Sequence, residues 1–332
     1  MDGAQVFGET GRLSLPGLVV HGGAGDFRGL DEAGRSSRYE EGLATALEAG
    51  WKVLEGDGPV LDAVVEAVAA FEDGGRFNAG RGAVPTVDGT FELDASVMDG
   101  SSRRAGALCA ATWPANPIRV AREIAERGGA PDGPLLLAAA GADRFAEEHG
   151  FARMDPSWLT GVRPAPAAPA AGSAGSAGSA GGTVGAVAVD AHGHLAAATS
   201  TGGRSGQMSG RVGDSAIPGA GVWAADDTVA ISATGAGEAF ILAGFGRMID
   251  LTLRHEVYRG GVLDEATLDE ESLEEALLEA AVRGALAEVA SLGGRGGGIA
   301  VTPAGAYAAR FISAAMARGW RDTTGTSVRI GR

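Results

Sequence analysis

Hairpin-linked strands with helices packed outside them, an α+β domain built on antiparallel sheets, are what the order of segments predicts. Two observations carry this. Short apolar runs end in tight glycine turns, and other stretches repeat their apolar residues at helical spacing. These segments follow one another as strands, helices, a linker, strands, helices and strands, with hairpin connections predominating among the strands. Composition agrees, since 332 residues at 45% apolar content can bury one large core or two ordinary ones, which excludes a disordered chain.

Taken in order, residues 17–20 read as a short buried strand running into the glycine loop His21–Gly25. From Ser37 to Phe71 apolar positions recur at helical spacing, broken in two by Gly50 and by Gly56–Pro59. Residues 83–98 alternate in strand fashion about Asp88-Gly89, a hairpin signal. Residues 117–127 and 134–149 read as helices, each opened by a proline tolerated in a first turn. Residues 163–182 combine Pro-Ala-Pro with three Gly-Ser-Ala units, too little apolar surface to fold, which predicts a mobile linker and by itself suggests a domain boundary. Two apolar strands follow, Thr183–Asp190 and His194–Thr201; with Ala191–Gly193 as their turn, Thr183 faces Thr201 directly across the hairpin. Strands at 222–224 and 228–234 lead to Thr234-Gly235-Ala236-Gly237, helices at 238–258 and 264–292 come next, and a strand pair around 298–311 closes the series.

Charge and composition remove several classes of function. The chain carries 27 basic and 42 acidic residues, a net charge of −15, and Lys52 is its single lysine. That balance argues against nucleic acid or an anionic membrane as partner. No apolar run approaches the ~18 residues of a membrane span, and the first residues lack the basic-then-apolar order of a signal peptide, so a soluble, cytoplasmic, globular protein is expected. One cysteine, Cys109, excludes an internal disulfide framework. Glycine is abundant, 56 residues gathered in clusters such as Gly202-Gly203, where tight turns or close backbone approach are expected. His192 and His194 flank a turn with no third metal ligand near them in the sequence.

A linker that ends at Gly182-Thr183, with Thr183 opening a buried strand, is an unusual arrangement. Threonine needs a base to act as a nucleophile, and none of the five histidines stands in a hydrolase elbow. Cutting the peptide bond before Thr183 would create an α-amine with a pKa of about 7.7–8.0, a base on the nucleophile's own residue. Gly182 suits such a cut because it tolerates strained backbone. Spacing alone also allows Thr183 to be an ordinary β-branched strand residue, and Arg211 with Asp214 to be a surface ion pair.

The run Gly182-Thr183-Val184-Gly185-Ala186-Val187-Ala188-Val189-Asp190, with Leu195 to Gly203, resembles the plant-type asparaginase/isoaspartyl peptidase family of N-terminal-nucleophile hydrolases. So do His21–Gly25, Phe77-Asn78-Ala79-Gly80, Glu92–Gly100, Asn116-Pro117-Ile118, Gly210–Ser215 and Thr234–Glu238, all in the family's order over roughly residues 17–300. The resemblance implies an αββα four-layer sandwich, two antiparallel sheets between helical layers, in one domain spanning 1–332. It implies a precursor that cuts itself between Gly182 and Thr183 into an alpha fragment, 1–182, and a beta fragment, 183–332. It further implies hydrolysis of L-asparagine and of β-aspartyl dipeptides, no cofactor for catalysis, and a homodimer of cleaved protomers, for which the apolar face of helix 264–290 is a contact to test.

By the same resemblance Thr183 is the nucleophile, Thr201 positions its hydroxyl, and Thr234 with the Gly235 N–H forms the oxyanion hole. Arg211 grips the substrate α-carboxylate, Asp214 takes the α-ammonium, and Gly237 keeps backbone close to the substrate. Asn78 supports the nucleophile, and the loop from Phe71 to Arg81 holds a structural sodium through carbonyl oxygens. Residues 1–16 extend beyond the resemblance, and Phe311–Ala317 departs from it near the cleft, which leaves substrate preference open. A glycosylasparaginase-like enzyme, a threonine endopeptidase and an uncleaved scaffold are the competing readings.

Overall fold

The computed structural model describes residues 4–27, 35–128, 133–155, 157, 182–259 and 269–332. The 163–182 linker, Gly182 apart, lies outside these residues, so the described chain resumes at the junction that matters most.

Strand β1 (Phe7–Arg12) and strand β2 (Gly17–Gly25) precede helices α1 (Arg35–Glu55) and α2 (Val60–Gly74). Then come β3 (Leu93–Asp99), β4 (Ala105–Ala111), α3 (Pro117–Arg127), β5 (Leu136–Ala138) and α4 (Ala140–Glu148). Beyond the linker follow β6 (Val184–Val189), β7 (Leu195–Thr201), β8 (Val222–Ala225) and β9 (Val229–Gly235). Helices α5 (Gly237–Ala243), α6 (Phe245–Arg259) and α7 (Glu270–Ser291) lead to β10 (Gly296–Val301), β11 (Ala306–Phe311), β12 (Ala315–Asp322) and β13 (Gly325–Gly331).

The strands form an eight-stranded sheet, β13-β12-β2-β6-β7-β3-β4-β5, and a five-stranded sheet, β1-β11-β10-β9-β8. Strand periodicity sorts their side chains into layers. Leu18 and Val20 on β2, with Ala186 and Ala188 on β6, face α1 and α2. Val19, Val187 and Val189 face the other way, onto Ala230, Ile299 and Val301 of the second sheet. The outer face of that sheet, including Ile231, Ala233 and Ala300, buries Phe240, Ile249, Leu278, Val282 and Leu286 of α5–α7. Helices, sheet, sheet, helices: this is the αββα sandwich that the resemblance implies. The segments before and after the linker interleave within it, since β6 and β7 sit between β2 and β3. The apolar residues of α7 are spent on the sheet beneath, which removes that face as a dimer contact.

Several elements differ from the sequence reading. Helix α1 runs unbroken through Gly50, because an added Cβ there would lie 2.7 Å from both Ala63 O and Leu18 Cδ2; the glycine serves close packing and not a break. Gly56–Pro59 does separate α1 from α2. The turn at Asp88-Gly89 forms, but Val87 N–H donates to Gln207 O, so its flanks bind another loop and only residues 93–99 become a strand. Residues 134–149 begin with β5, which pairs in parallel with β4, and α4 starts only at Ala140. Gly244, at φ 58°, divides the expected 238–258 helix into α5 and α6. The His21–Gly25 stretch is strand and not loop, bulged where β12 passes from Arg318 opposite His21 to Met316 opposite Ala24.

Residues 1–16, read only as an extension, contribute β1 to the edge of the five-stranded sheet. Its Glu9 receives both arms of Arg318, at 2.6 and 3.0 Å, where that guanidinium is fully buried and also donates to the carbonyls of Met316 and Gly331. A buried charge of this kind requires its partner, so β1 is tied to the last two strands.

Candidate active site

The β6–β7 register pairs Val184 with Ser200 and Gly185 with Thr199, which brings Thr183 opposite Thr201 as expected. The Thr183 hydroxyl donates to Thr201 Oγ1 at 3.0 Å. Thr201 Oγ1 also accepts from the Gly203 N–H at 3.1 Å. Asn78 locks that turn from behind: its Nδ2 donates to Gly203 O at 2.6 Å, its carbonyl accepts from Gly202 N–H at 3.0 Å, and its Oδ1 accepts from Val84 N–H. Asn78 therefore fixes the turn that holds Thr201 and, through it, the Thr183 hydroxyl.

Thr234 arrives from the facing sheet at the end of β9. Its Oγ1 accepts from the Ala24 N–H at 3.4 Å, and a Cβ added to Gly182 would lie at the same distance from that oxygen. The β2 bulge completes the enclosure. Gly23, at φ +102°, presses so closely on Gly182 that a Cβ there would be 2.5 Å from both Gly182 N and Cα. The peptide before Thr183 is thus held among Gly23, Ala24 and Thr234 while Thr201 holds the hydroxyl.

Arg211 and Asp214 do not pair with each other. Arg211 sends Nε and Nη2 to the two carboxylate oxygens of Glu238, each at 2.9 Å, and Nη1 lies 3.4 Å from Gln207 Oε1. Its remaining Nη1–Nη2 edge is flanked by Gly213 and Gly237, where an added Cβ would come within 3.0 Å of Nη1 and Nη2 respectively. The same Cβ on Gly237 would lie 2.9 Å from Asp214 Oδ1. One small volume therefore presents a guanidinium edge and a carboxylate, complementary to the carboxylate and ammonium of an α-amino acid. Asp214 is buried with Oδ2 unpartnered, and burial pushes its pKa up to about 7 against the pull of Arg211.

Three further carboxylates, for which the sequence reading gave no role, support this arrangement. Glu238 fixes the Arg211 guanidinium. Asp94 accepts from Ala110 N–H and Gly213 N–H, so β3 anchors the turn that carries Arg211 and Asp214; burial raises its pKa to about 6. Glu72 is wholly buried on α2, and its Oε1 accepts from Ser200 Oγ at 2.7 Å and from Ile118 N–H at 3.1 Å. It thus grips β7 one residue from Thr201, on the opposite face. The signal for Glu72 was present: it stands four residues after Val68, on the apolar stripe of α2.

Burial lifts the Glu72 pKa from 4.5 to about 8. Between those values the folded protein keeps a proton that the unfolded chain releases. Stability therefore falls with rising pH, by about 1.4 kcal/mol per unit for this group, and levels off above pH 8. Glu72→Gln removes that slope. We expect thermal unfolding curves of wild type and variant to coincide near pH 5, with the variant melting higher at pH 8.5; a wild-type advantage at pH 8.5 contradicts a protonated Glu72.

Among the described residues, no group of three or more His, Cys, Asp or Glu could hold a metal ion. His194 is engaged with Asp226 at 2.8 Å, and Cys109 is buried on β4. No helix among the described residues is long and apolar enough to cross a membrane.

The fold is an αββα sandwich of the N-terminal-nucleophile hydrolase type. Residues 14–330 match a family model described as asparaginase, and the chain belongs to that family. It is 40% identical over 317 residues to an isoaspartyl peptidase of Salmonella typhimurium, covering 91% of this chain and 94% of the relative. A 38% identity to the Escherichia coli isoaspartyl peptidase covers 91% and 92%, and a 37% identity to the human isoaspartyl peptidase/L-asparaginase covers 76% and 80%.

Proposed function

We propose that this protein is an amidohydrolase that activates itself by cutting between Gly182 and Thr183, and that then hydrolyses L-asparagine and β-aspartyl dipeptides. The observation that carries the reading is the Gly182–Thr183 junction, held against Thr234 and Ala24 with the Thr183 hydroxyl on Thr201. In the first reaction Thr183 Oγ adds to the Gly182 carbonyl carbon, the C–N bond breaks and the nitrogen becomes the α-amine of Thr183. Water then hydrolyses the resulting ester and leaves Gly182 with a free carboxylate.

The new amine serves as the base for the second reaction. Thr183 Oγ attacks the β-carbonyl of the substrate, whose α-carboxylate lies on the free edge of Arg211 and whose α-ammonium faces Asp214. The Thr234 hydroxyl and the Gly235 N–H meet the developing oxyanion, an interaction for which losing one donor costs about 3–4 kcal/mol. Ammonia, or the amine of the second residue of a dipeptide, takes a proton and departs, and water frees aspartate from the β-aspartyl ester. In this reading the Arg211 and Asp214 head-group clamp favours a free aspartyl terminus over an internal peptide segment, which supports it over a threonine endopeptidase.

The structural sodium stays part of this reading. Helix α2 ends at Gly74 with Gly75 in the left-handed conformation (φ 63°), so its last carbonyls lack helical partners and carry the negative end of the dipole. These are hard oxygen donors suited to a monovalent cation, and we place it among the carbonyls of the loop from Phe71 to Arg81. A homodimer of cleaved protomers completes the proposal.

Intact mass and N-terminal sequencing of freshly purified protein, followed over time, test the first reaction. A second N-terminus reading Thr-Val-Gly-Ala, with ammonia released from asparagine and leucine from β-aspartyl-leucine, is the expected result. A chain that stays whole and inactive returns the reading to a scaffold.

A further inference from the structure

The inter-sheet core changes character in steps as it approaches the threonines. On β2, β6, β7 and β9 the residues facing the other sheet recur every second position. One rung is apolar: Val19, Val187, Ala197 and Ala230. Two residues further toward the site stand His21, Gly185, Thr199 and Ser232. Two further still are Gly23, Thr183, Thr201 and Thr234, the groups that surround the proposed cut. The middle rung is therefore the floor beneath the reactive residues.

Its three side chains are fully buried and hydrogen-bonded in series. His21 Nε2 lies 2.9 Å from Ser232 Oγ, Ser232 Oγ lies 2.7 Å from Thr199 Oγ1, and Thr199 Oγ1 donates to Gly221 O at 3.0 Å. The protons can be placed by elimination. A carbonyl only accepts, so the single Thr199 proton goes to Gly221 O. Thr199 Oγ1 must then accept from Ser232, and Ser232 Oγ must accept from His21 Nε2–H. In this order of donors His21 carries a proton on Nε2, and its buried Nδ1 has no side-chain hydrogen-bond partner. Burial holds its pKa down at about 3, with only partial opposition from the Thr183 backbone. Gly185 leaves room for the series, because a Cβ there would sit 1.9 Å from Ser232 Oγ and 2.5 Å from His21 Nε2.

We propose that the His21–Ser232–Thr199 series is a positioning layer that sets the mutual spacing of β2, β7 and β9 one rung below the site, so that the hydroxyls of Thr183, Thr201 and Thr234 converge. This rests on the reading of Thr183 as nucleophile. An apolar rung would hold the sheets together equally well, but apolar contacts are non-directional and tolerate small slides of one strand over another. Hydrogen bonds of fixed direction among buried groups do not, since any displacement leaves a donor or acceptor unpaired. A displacement of about 1 Å at reacting atoms costs on the order of 100-fold in rate.

The test compares Thr199→Val, which keeps the shape of the side chain and removes its hydroxyl, with Thr199→Ser, which keeps the hydroxyl. Ser232→Ala breaks the same series at its middle member. Val187→Ala, one rung below, serves as a comparator that weakens packing and leaves the polar layer intact. We expect T199V and S232A to lower kcat for asparagine by about tenfold or more, with KM within about twofold of wild type, and to slow the appearance of the Thr183 N-terminus equally. T199S and V187A should stay within about threefold of wild type, V187A despite a reduced Tm. The inference is overturned when T199V and S232A turn over like V187A, or when T199S is as damaged as T199V. A wild-type chain that neither cuts itself nor releases ammonia overturns instead the nucleophile reading beneath it.

Discussion

Replacing Thr183 with alanine leaves a single 332-residue chain and lowers ammonia release from asparagine by at least about 10⁴-fold. Both losses have one cause. The hydroxyl that would attack the Gly182 carbonyl is the one that would attack the substrate, and without the cut there is no α-amine to act as base. Thr201, Thr234, Arg211 and Asp214 stay in place in such a variant, because none of the bonds fixing them runs through the Thr183 side chain except the one to Thr201 Oγ1. The substitution itself leaves the Arg211 and Asp214 head-group contacts undisturbed, while the uncut Gly182 stays against Thr234. A T183A protein that releases ammonia at the wild-type rate would exclude Thr183 as nucleophile, whatever the fate of the linker.

The same threonine shows why the sequence disclosed so much of this site. Local rules were sufficient wherever the answer was local. Two apolar runs and a three-residue turn set the β6–β7 register, and that register alone brings Thr183 to Thr201. What local rules miss is contact between distant segments. Glu72 meets Ser200 across 128 positions, and His21 meets Ser232 across 211. Neither pairing leaves a periodic trace, although a carboxylate on the apolar stripe of α2 was a warning of buried chemistry. Glu238 stands only 27 residues from Arg211, yet no spacing rule joins a strand-end loop to the first turn of a helix. The last two strands were opaque for another reason. Strands β12 and β13 carry Arg318, Arg321 and Arg329, and their charges find partners, such as Glu9 and Glu48, that only the folded chain supplies.

Arg211→Lys is the second substitution expected to act strongly, and its effect should fall on KM. The guanidinium is used on two edges at once in this reading. Nε and Nη2 are taken by Glu238, and the Nη1–Nη2 edge, kept open by Gly213 and Gly237, faces the volume next to Asp214. An ammonium is a point charge with no second edge. It can stay with Glu238 or turn to the substrate carboxylate, but it cannot bridge the two in this geometry. The loss is one charge-assisted bond with its orientation, about 2–3 kcal/mol, or roughly 30- to 150-fold in kcat/KM. Because the α-carboxylate lies away from the reacting β-carbonyl, the contact is made equally in the ground and transition states, and such uniform binding appears in KM while kcat changes little. Steady-state kinetics with asparagine on the fully cleaved variant decide the matter. An unchanged KM would remove Arg211 from the substrate site, whereas a fall in kcat alone would show that it acts on the reacting atoms and not on the head group.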